Sequence, residues 1–171
     1  MNITFWQRLD QIGRSLAPAA VTLMLILLGM VPLHLPDWDK VVPAMALMSV
    51  YYWSIHRPDL LPPSAAFALG LLQDLLAGTP PGITALVLVC CHLVIETQRA
   101  FFLANGFLML WLGFTFIVFG AALLQGFIYS ILAQTLVPMD IPLAQAAMTL
   151  AVFPVFASLF ISVHRAFLKE I

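Results

Sequence analysis

Apolar positions dominate this chain so heavily that its organisation is set by the polar interruptions. Six apolar runs, about 16–35, 41–55, 60–77, 82–95, 105–136 and 141–163, are separated by short segments rich in Pro, Gly, Asp and basic residues. A helix needs about 20 apolar residues to cross a bilayer core. The first run meets that length, the second is short, and the fifth is long enough to require tilt or a projecting end. The pattern predicts an all-α integral membrane protein with about six transmembrane helices, a single polytopic domain over residues 1–171. Tyr51, Tyr52 and Trp53 close the second run as interface aromatics do. Pro154 predicts a kink in the sixth.

Residues 1–15 follow a different pattern. Phe5, Leu9, Ile12 and Leu16 recur at helical spacing, opposite Arg8, Gln11, Arg14 and Ser15. That spacing predicts an interfacial amphipathic helix leading into the first span. A basic start before an apolar run is also the form of a signal peptide, but no small-residue cleavage site follows Leu35.

Composition agrees with the pattern. Of 171 residues 63% are hydrophobic and 9% charged, with mean hydropathy +1.03, whereas a soluble domain is about one quarter charged. The net charge of −1 gives no electrostatic case for a nucleic-acid partner. The position of the basic residues is more informative than their sum. Six spans bring Arg8, Arg14, Arg57, Arg99, Arg165 and Lys169 to one side and leave Lys40 on the other. By the positive-inside rule both termini are expected in the cytoplasm.

One stretch stands out within the apolar runs. Gly70, Asp74, Gly78, Gly82 and Leu86 follow one another at steps of four, with Thr79-Pro80-Pro81-Gly82 as a turn between the third and fourth spans. A step of four places glycine and carboxylate on one side of a helix, where glycine admits close approach of another backbone. A carboxylate in lipid is costly and should face protein or water. No Lys or Arg lies within a span, so the expected partners of Asp74 are the free N–H groups near Gly82 to Thr84, with Lys40 as a second candidate. Gln125, Gln134, Gln145 and the Thr84 hydroxyl are the other polar groups of the outer half. In the fifth span Gly106, Gly113 and Gly120 repeat every seven residues and predict a seam for close helix packing. Gly70, Asp74, Gly78, Gly82, Gly113 and Gly120 are therefore the candidate structural and interaction residues.

Catalytic chemistry is not assembled by the pattern. The spans hold one carboxylate, and His34, His56, His92 and His164 fall on four segments without metal-ligand spacing. Adjacent Cys90 and Cys91 point in different directions on a helix, which disfavours a disulfide between them. Cys-Cys-His92 reads as packing rather than as a metal site. Glu96 and Arg99, three apart, are expected to pair at a helix end. No catalytic, cofactor-binding or metal-binding residue is assigned, and the chain is expected not to be an enzyme.

With its glycine–aspartate–glycine pattern at the end of the third span and a Pro/Gly turn after it, the Gly70–Leu86 stretch resembles the MreD family of rod shape-determining proteins. The length and six-span layout are similar too, although Thr79-Pro80-Pro81 stands where family turns commonly have Ser-Pro before a large apolar residue. The resemblance implies a multi-pass protein of the bacterial cell inner membrane. It implies a non-catalytic scaffold of the cell-elongation complex, the elongasome, that binds MreC and supports peptidoglycan synthesis and cell shape. Its further partners would be RodA, a class B penicillin-binding transpeptidase, MreB and membrane lipid. The family fold is similar to the substrate-binding subunits of energy-coupling-factor transporters. That likeness supplies the alternative function, a small-molecule, vitamin-type binding membrane subunit of a transporter.

Overall fold

A helix that is apolar all round has no side to offer to water, and in this protein the shortest helix is the one at the centre. The computed structural model describes residues 5–30, 42–104, 106–135 and 138–167, and the side chains within them from 17 to 162. The described residues form α1 (Phe5–Gly29), α2 (Met45–His56), α3 (Pro63–Ala77), α4 (Ile83–Ala104), α5 (Gly106–Ala133) and α6 (Asp140–Phe167), with a 3-10 turn at Pro58–Leu60 and no strand. Every residue of α2 from Ala46 to Ile55 is buried. Its 12 residues extend about 18 Å, well short of a hydrocarbon core of about 30 Å. Helices α1, α4 and α6 pack around it.

Aromatic side chains fill the space between α2 and its neighbours. Phe114 of α5 stacks on Phe153 of α6 with ring centroids 4.0 Å apart, and Tyr51 meets both edge-on or tilted. The Tyr51 hydroxyl donates to the Leu110 carbonyl at 2.7 Å, which satisfies the one polar atom this ring carries into the core. Interior polar side chains are likewise matched across helices. Thr22 donates to the Pro18 carbonyl and lies 2.7 Å from Ser49. Ser54 donates to the Val50 carbonyl and lies 2.6 Å from Nδ1 of His92. With the Ser54 proton committed to Val50, the imidazole Nδ1–H is the donor of that second bond.

The ends of α2 are completed by other helices. Before it, the Val42 carbonyl accepts from Gln145 Nε2 at 2.7 Å and the Ala44 N–H donates to Thr149 Oγ1 at 2.9 Å. After it, Arg99 Nε donates to the Ile55 carbonyl at 2.9 Å. Irregular backbone at membrane depth persists only where protein satisfies it, and side chains from α4 and α6 do so here. Helices α4 and α5 and the Asp140–Ser162 part of α6 are long and apolar enough to cross a membrane, while Ala17–Gly29 and α3 are shorter apolar helices. Outward-facing Phe116, Phe127, Leu108, Val155 and Met24 form an apolar exterior, as expected of a surface solvated by lipid tails.

Several boundaries differ from those the pattern suggests. Residues 5–15 are not a separate element: α1 is continuous from Phe5 to Gly29, with Pro18 inside it. Helix α4 runs past Ile95 to Ala104, because Glu96-Thr-Gln-Arg99 keeps good helix formers and Phe101, Phe102 and Leu103 follow. Helix α5 then starts at Gly106, whose φ of 75° suits glycine. Glu96 and Arg99 do not pair: the Glu96 carboxylate faces His92 Nε2 at 3.8 Å, and Arg99 turns instead to the end of α2. Pro154 sits inside α6. The polar turn Pro36–Lys40, with His34, lies outside the described residues.

Candidate functional site

Helices α3 and α4 form an antiparallel hairpin whose turn is built on one side chain. Gly78, at φ 68°, ends α3 in the left-handed conformation. Its N–H closes on the Asp74 carbonyl, and the Thr79 N–H donates to the same oxygen at 3.1 Å. Gly82, at φ 101°, starts α4, and its carbonyl accepts the first helical bond from Leu86 at 2.9 Å. Both glycines occupy a conformation that L side chains rarely adopt, which is why the turn has glycine at each end.

The Asp74 carboxylate is fully buried and reaches across the turn. Oδ2 accepts from the Gly82 N–H at 2.8 Å and from the Thr84 N–H at 3.0 Å. Oδ1 accepts from the Thr79 hydroxyl at 3.1 Å and, more weakly, from Thr84 N–H at 3.3 Å. The first N–H groups of any helix lack intrahelical partners and carry its positive dipole end. Here a carboxylate borrowed from α3 does for α4 what an N-cap side chain does for its own helix. Asp74 thus closes α3 with its carbonyl and opens α4 with its side chain. Its hydrogen bonds to Gly82 and Thr84 are those expected from the sequence; Lys40, the other candidate, lies outside the described residues.

One turn below, Gly70 brings the two backbones together. A Cβ at Gly70 would lie 2.7 Å from the Ala85 backbone nitrogen and 3.1 Å from the Thr84 carbonyl carbon. No flexible side chain intervenes, so a larger residue has to push α4 away. The step-of-four pattern therefore carries a close approach at Gly70, a cap at Asp74 and two turn conformations at Gly78 and Gly82.

The step-of-seven pattern in α5 does not form one seam. Gly106 is the first residue of α5, at a φ of 75°. Gly113 is buried against side chains, the Phe102 ring and the Tyr51 hydroxyl, rather than against a helix backbone. Gly120 has nothing within 4 Å and sits on the outward face. Another α5 glycine, Gly126, takes an inward position, against the Met139 thioether.

The remaining polar residues are spread out. Gln145 braces the entry to α2, Gln134 is an exposed turn residue with φ 54°, and Gln125 lines a small cavity of about 30 Å³ with Gln145 and Thr149. Beside it, a cavity of about 200 Å³ between α1, α2, α3 and α6 is lined by Gln73 and Gln145. Gln73 Oε1 is buried there without a hydrogen-bond partner. Cys90 is exposed and Cys91 buried, on different sides of α4. Among the described residues no group of three or more His, Cys, Asp or Glu is gathered that could hold a metal ion.

Thr79 and Thr84 contribute in ways the pattern did not reveal. The Thr79 hydroxyl reaches the carboxylate, and Thr84 acts through its backbone N–H rather than its hydroxyl. A threonine immediately after the helix-ending glycine, five residues beyond an aspartate, was the available clue.

An uncharacterized protein of Rickettsia prowazekii (strain Madrid E) is 30% identical over 79 residues, 46% of this chain and 44% of that protein. The chain thus matches less than half the length of that relative. No solved structure matches it. The family model described as rod shape-determining protein MreD matches residues 10–164, which contain α2, α5, the whole α3–α4 hairpin and all but the outer ends of α1 and α6. The chain belongs to the MreD family of rod shape-determining proteins, membrane components of the cell-shape machinery.

Proposed function

We propose that this protein is a non-catalytic scaffold of the elongasome in the bacterial inner membrane. It crosses the membrane about six times with both termini in the cytoplasm, binds MreC, and supports peptidoglycan synthesis with RodA, a class B penicillin-binding transpeptidase and MreB. Family membership supports a role in rod shape determination. The observation that favours a scaffold over an enzyme is the state of Asp74. Its two oxygens are filled by the Thr79 hydroxyl and the Gly82 and Thr84 N–H groups. A fully buried carboxylate held by three donors is a fastening rather than a general base or a ligand contact. The shape it fastens is what partner helices would read.

Affinity purification from detergent tests the reading. Cell-wall synthesis proteins are expected to co-purify with the wild type and to be lost with Asp74→Leu; normal recovery of all of them with that variant contradicts it. Orientation is tested by cysteine labelling of intact cells. Substitutions at Asp39 and Asp140 are expected to react, and those at Arg57 and Arg99 to stay protected. Labelling at Arg57 overturns the orientation.

A second reading, a small-molecule binding subunit of a transporter, is favoured by the cavity that carries the unpartnered Gln73 carbonyl. Co-purification of an ATPase pair and a vitamin-like molecule would move that reading ahead.

A further inference from the structure

We propose that the cytoplasmic end of the bundle holds one anionic membrane lipid, with its phosphodiester on Arg99 and an acyl chain in a slot between α2, α4, α5 and α6. The choice of leaflet rests on the orientation proposed above; the site itself does not. A cavity of about 230 Å³ lies among Tyr52, Phe102, Leu103, Leu110, Ala157 and Ile161. Its walls are mostly apolar, with His56 at one end, so most of the slot suits an acyl chain better than water. Leu103 and Ile161 are also exposed on the lipid-facing surface, so the slot opens sideways to hydrocarbon. Glycine shapes two of its sides. Gly106 lines it without a side chain, and the ring of Phe102 makes a wall while seated against Gly113.

Charge close to the slot selects the headgroup. Arg99 is one turn before Phe102 and Leu103 on α4, and its Nε is fixed on the Ile55 carbonyl, next to His56 of the slot. Nε uses one of five N–H donors, and among the described residues the guanidinium has no other partner. Among the described residues the nearby acids are turned elsewhere: Asp59 pairs with Arg57 at 3.3 Å, and Glu96 faces His92. A guanidinium tied to the Ile55 carbonyl, one residue before the slot's His56, matches a phosphate in geometry and sign. Free phosphate could satisfy Arg99 but would leave the slot unfilled, so the occupant is a lipid.

Native mass spectrometry of the whole protein in detergent, with palmitoyl-oleoyl phosphatidylglycerol or phosphatidylcholine added, tests the proposal. One phosphatidylglycerol is expected to be retained, preferred by about fivefold over phosphatidylcholine, the factor that one basic residue near a membrane surface supplies. Arg99→Gln should erase the preference and Arg99→Lys should keep it. Ile161→Trp, on the exposed rim, should fill the slot and lower retention of both lipids without disturbing the core. Equal retention of the two lipids by the wild type, a preference that survives Arg99→Gln, or unchanged retention by Ile161→Trp overturns it. So does displacement of the lipid by inorganic phosphate alone. If Arg99→Gln does not fold because it uncaps α2, Arg99→Lys and Ile161→Trp decide the matter. Micelles have no sides, so this result and the orientation can fail separately.

Discussion

Two glycine patterns in this chain promised the same thing and delivered different structures. In the α3–α4 hairpin, Gly70 lets backbone meet backbone and Asp74 fastens the contact with hydrogen bonds to Gly82 and Thr84. In α5, Gly113 holds a side chain, and Gly120, one heptad later, meets nothing among the described residues. Spacing alone records that a face is smooth. A carboxylate and a tight turn beside it record which neighbour the face must meet, because a charge in lipid and free N–H groups at a helix start each need the other.

Gly70→Leu should be the most damaging change to this contrast. The new side chain meets backbone with no rotamer to escape into, at a cost of more than about 3 kcal/mol, beyond ordinary overpacking. Thermal unfolding in detergent is expected to show little or no folded protein. Survival with a near-native melting temperature would mean that the helices are not held at this distance.

Asp74→Leu comes second. It leaves the Gly82 and Thr84 N–H groups without their acceptor, at about 1–3 kcal/mol each. Asp74→Asn keeps the volume and one acceptor and should cost about 1 kcal/mol. A melting temperature for Asn as low as for Leu would show that the charge, rather than the cap, holds the hairpin.

Gly113→Leu should cost less than either, about 1–3 kcal/mol, because Phe102 can swing aside where a backbone cannot. Gly120→Leu should be smallest, within about 0.5 kcal/mol in the isolated protein. Its value lies in the difference between two assays. Normal melting with reduced recovery of partner proteins places a partner helix on that face, while normal behaviour in both leaves the face to lipid.

Sequence reasoning recovered the helical class and the α3–α4 hairpin because both are local: apolar runs, a turn and residues one helical step apart. It missed what depends on distant parts of the chain. The run at 41–55 reads as a short span, yet α2 from Ala46 to Ile55 is buried on every side by the packing of distant helices, α1, α4, α5 and α6 among them. Arg99 reads as the partner of Glu96, its neighbour on the helix, but the end of α2 competes for it and wins. Ser54 and His92, 38 residues apart, carry no mark of their pairing in the sequence.

The brace on the entry to α2 has a consequence in time. The Ala44 N–H waits for Thr149, 105 residues later in the chain. At a synthesis rate of about 5–20 residues per second, that is an interval of about 5–20 s. Throughout it the central helix has been made, while the residues that complete its entry have not. Helix α6 therefore completes the entry to a helix made long before it, and a chain stopped before Thr149 would present an unsealed helix start to the membrane's proteases.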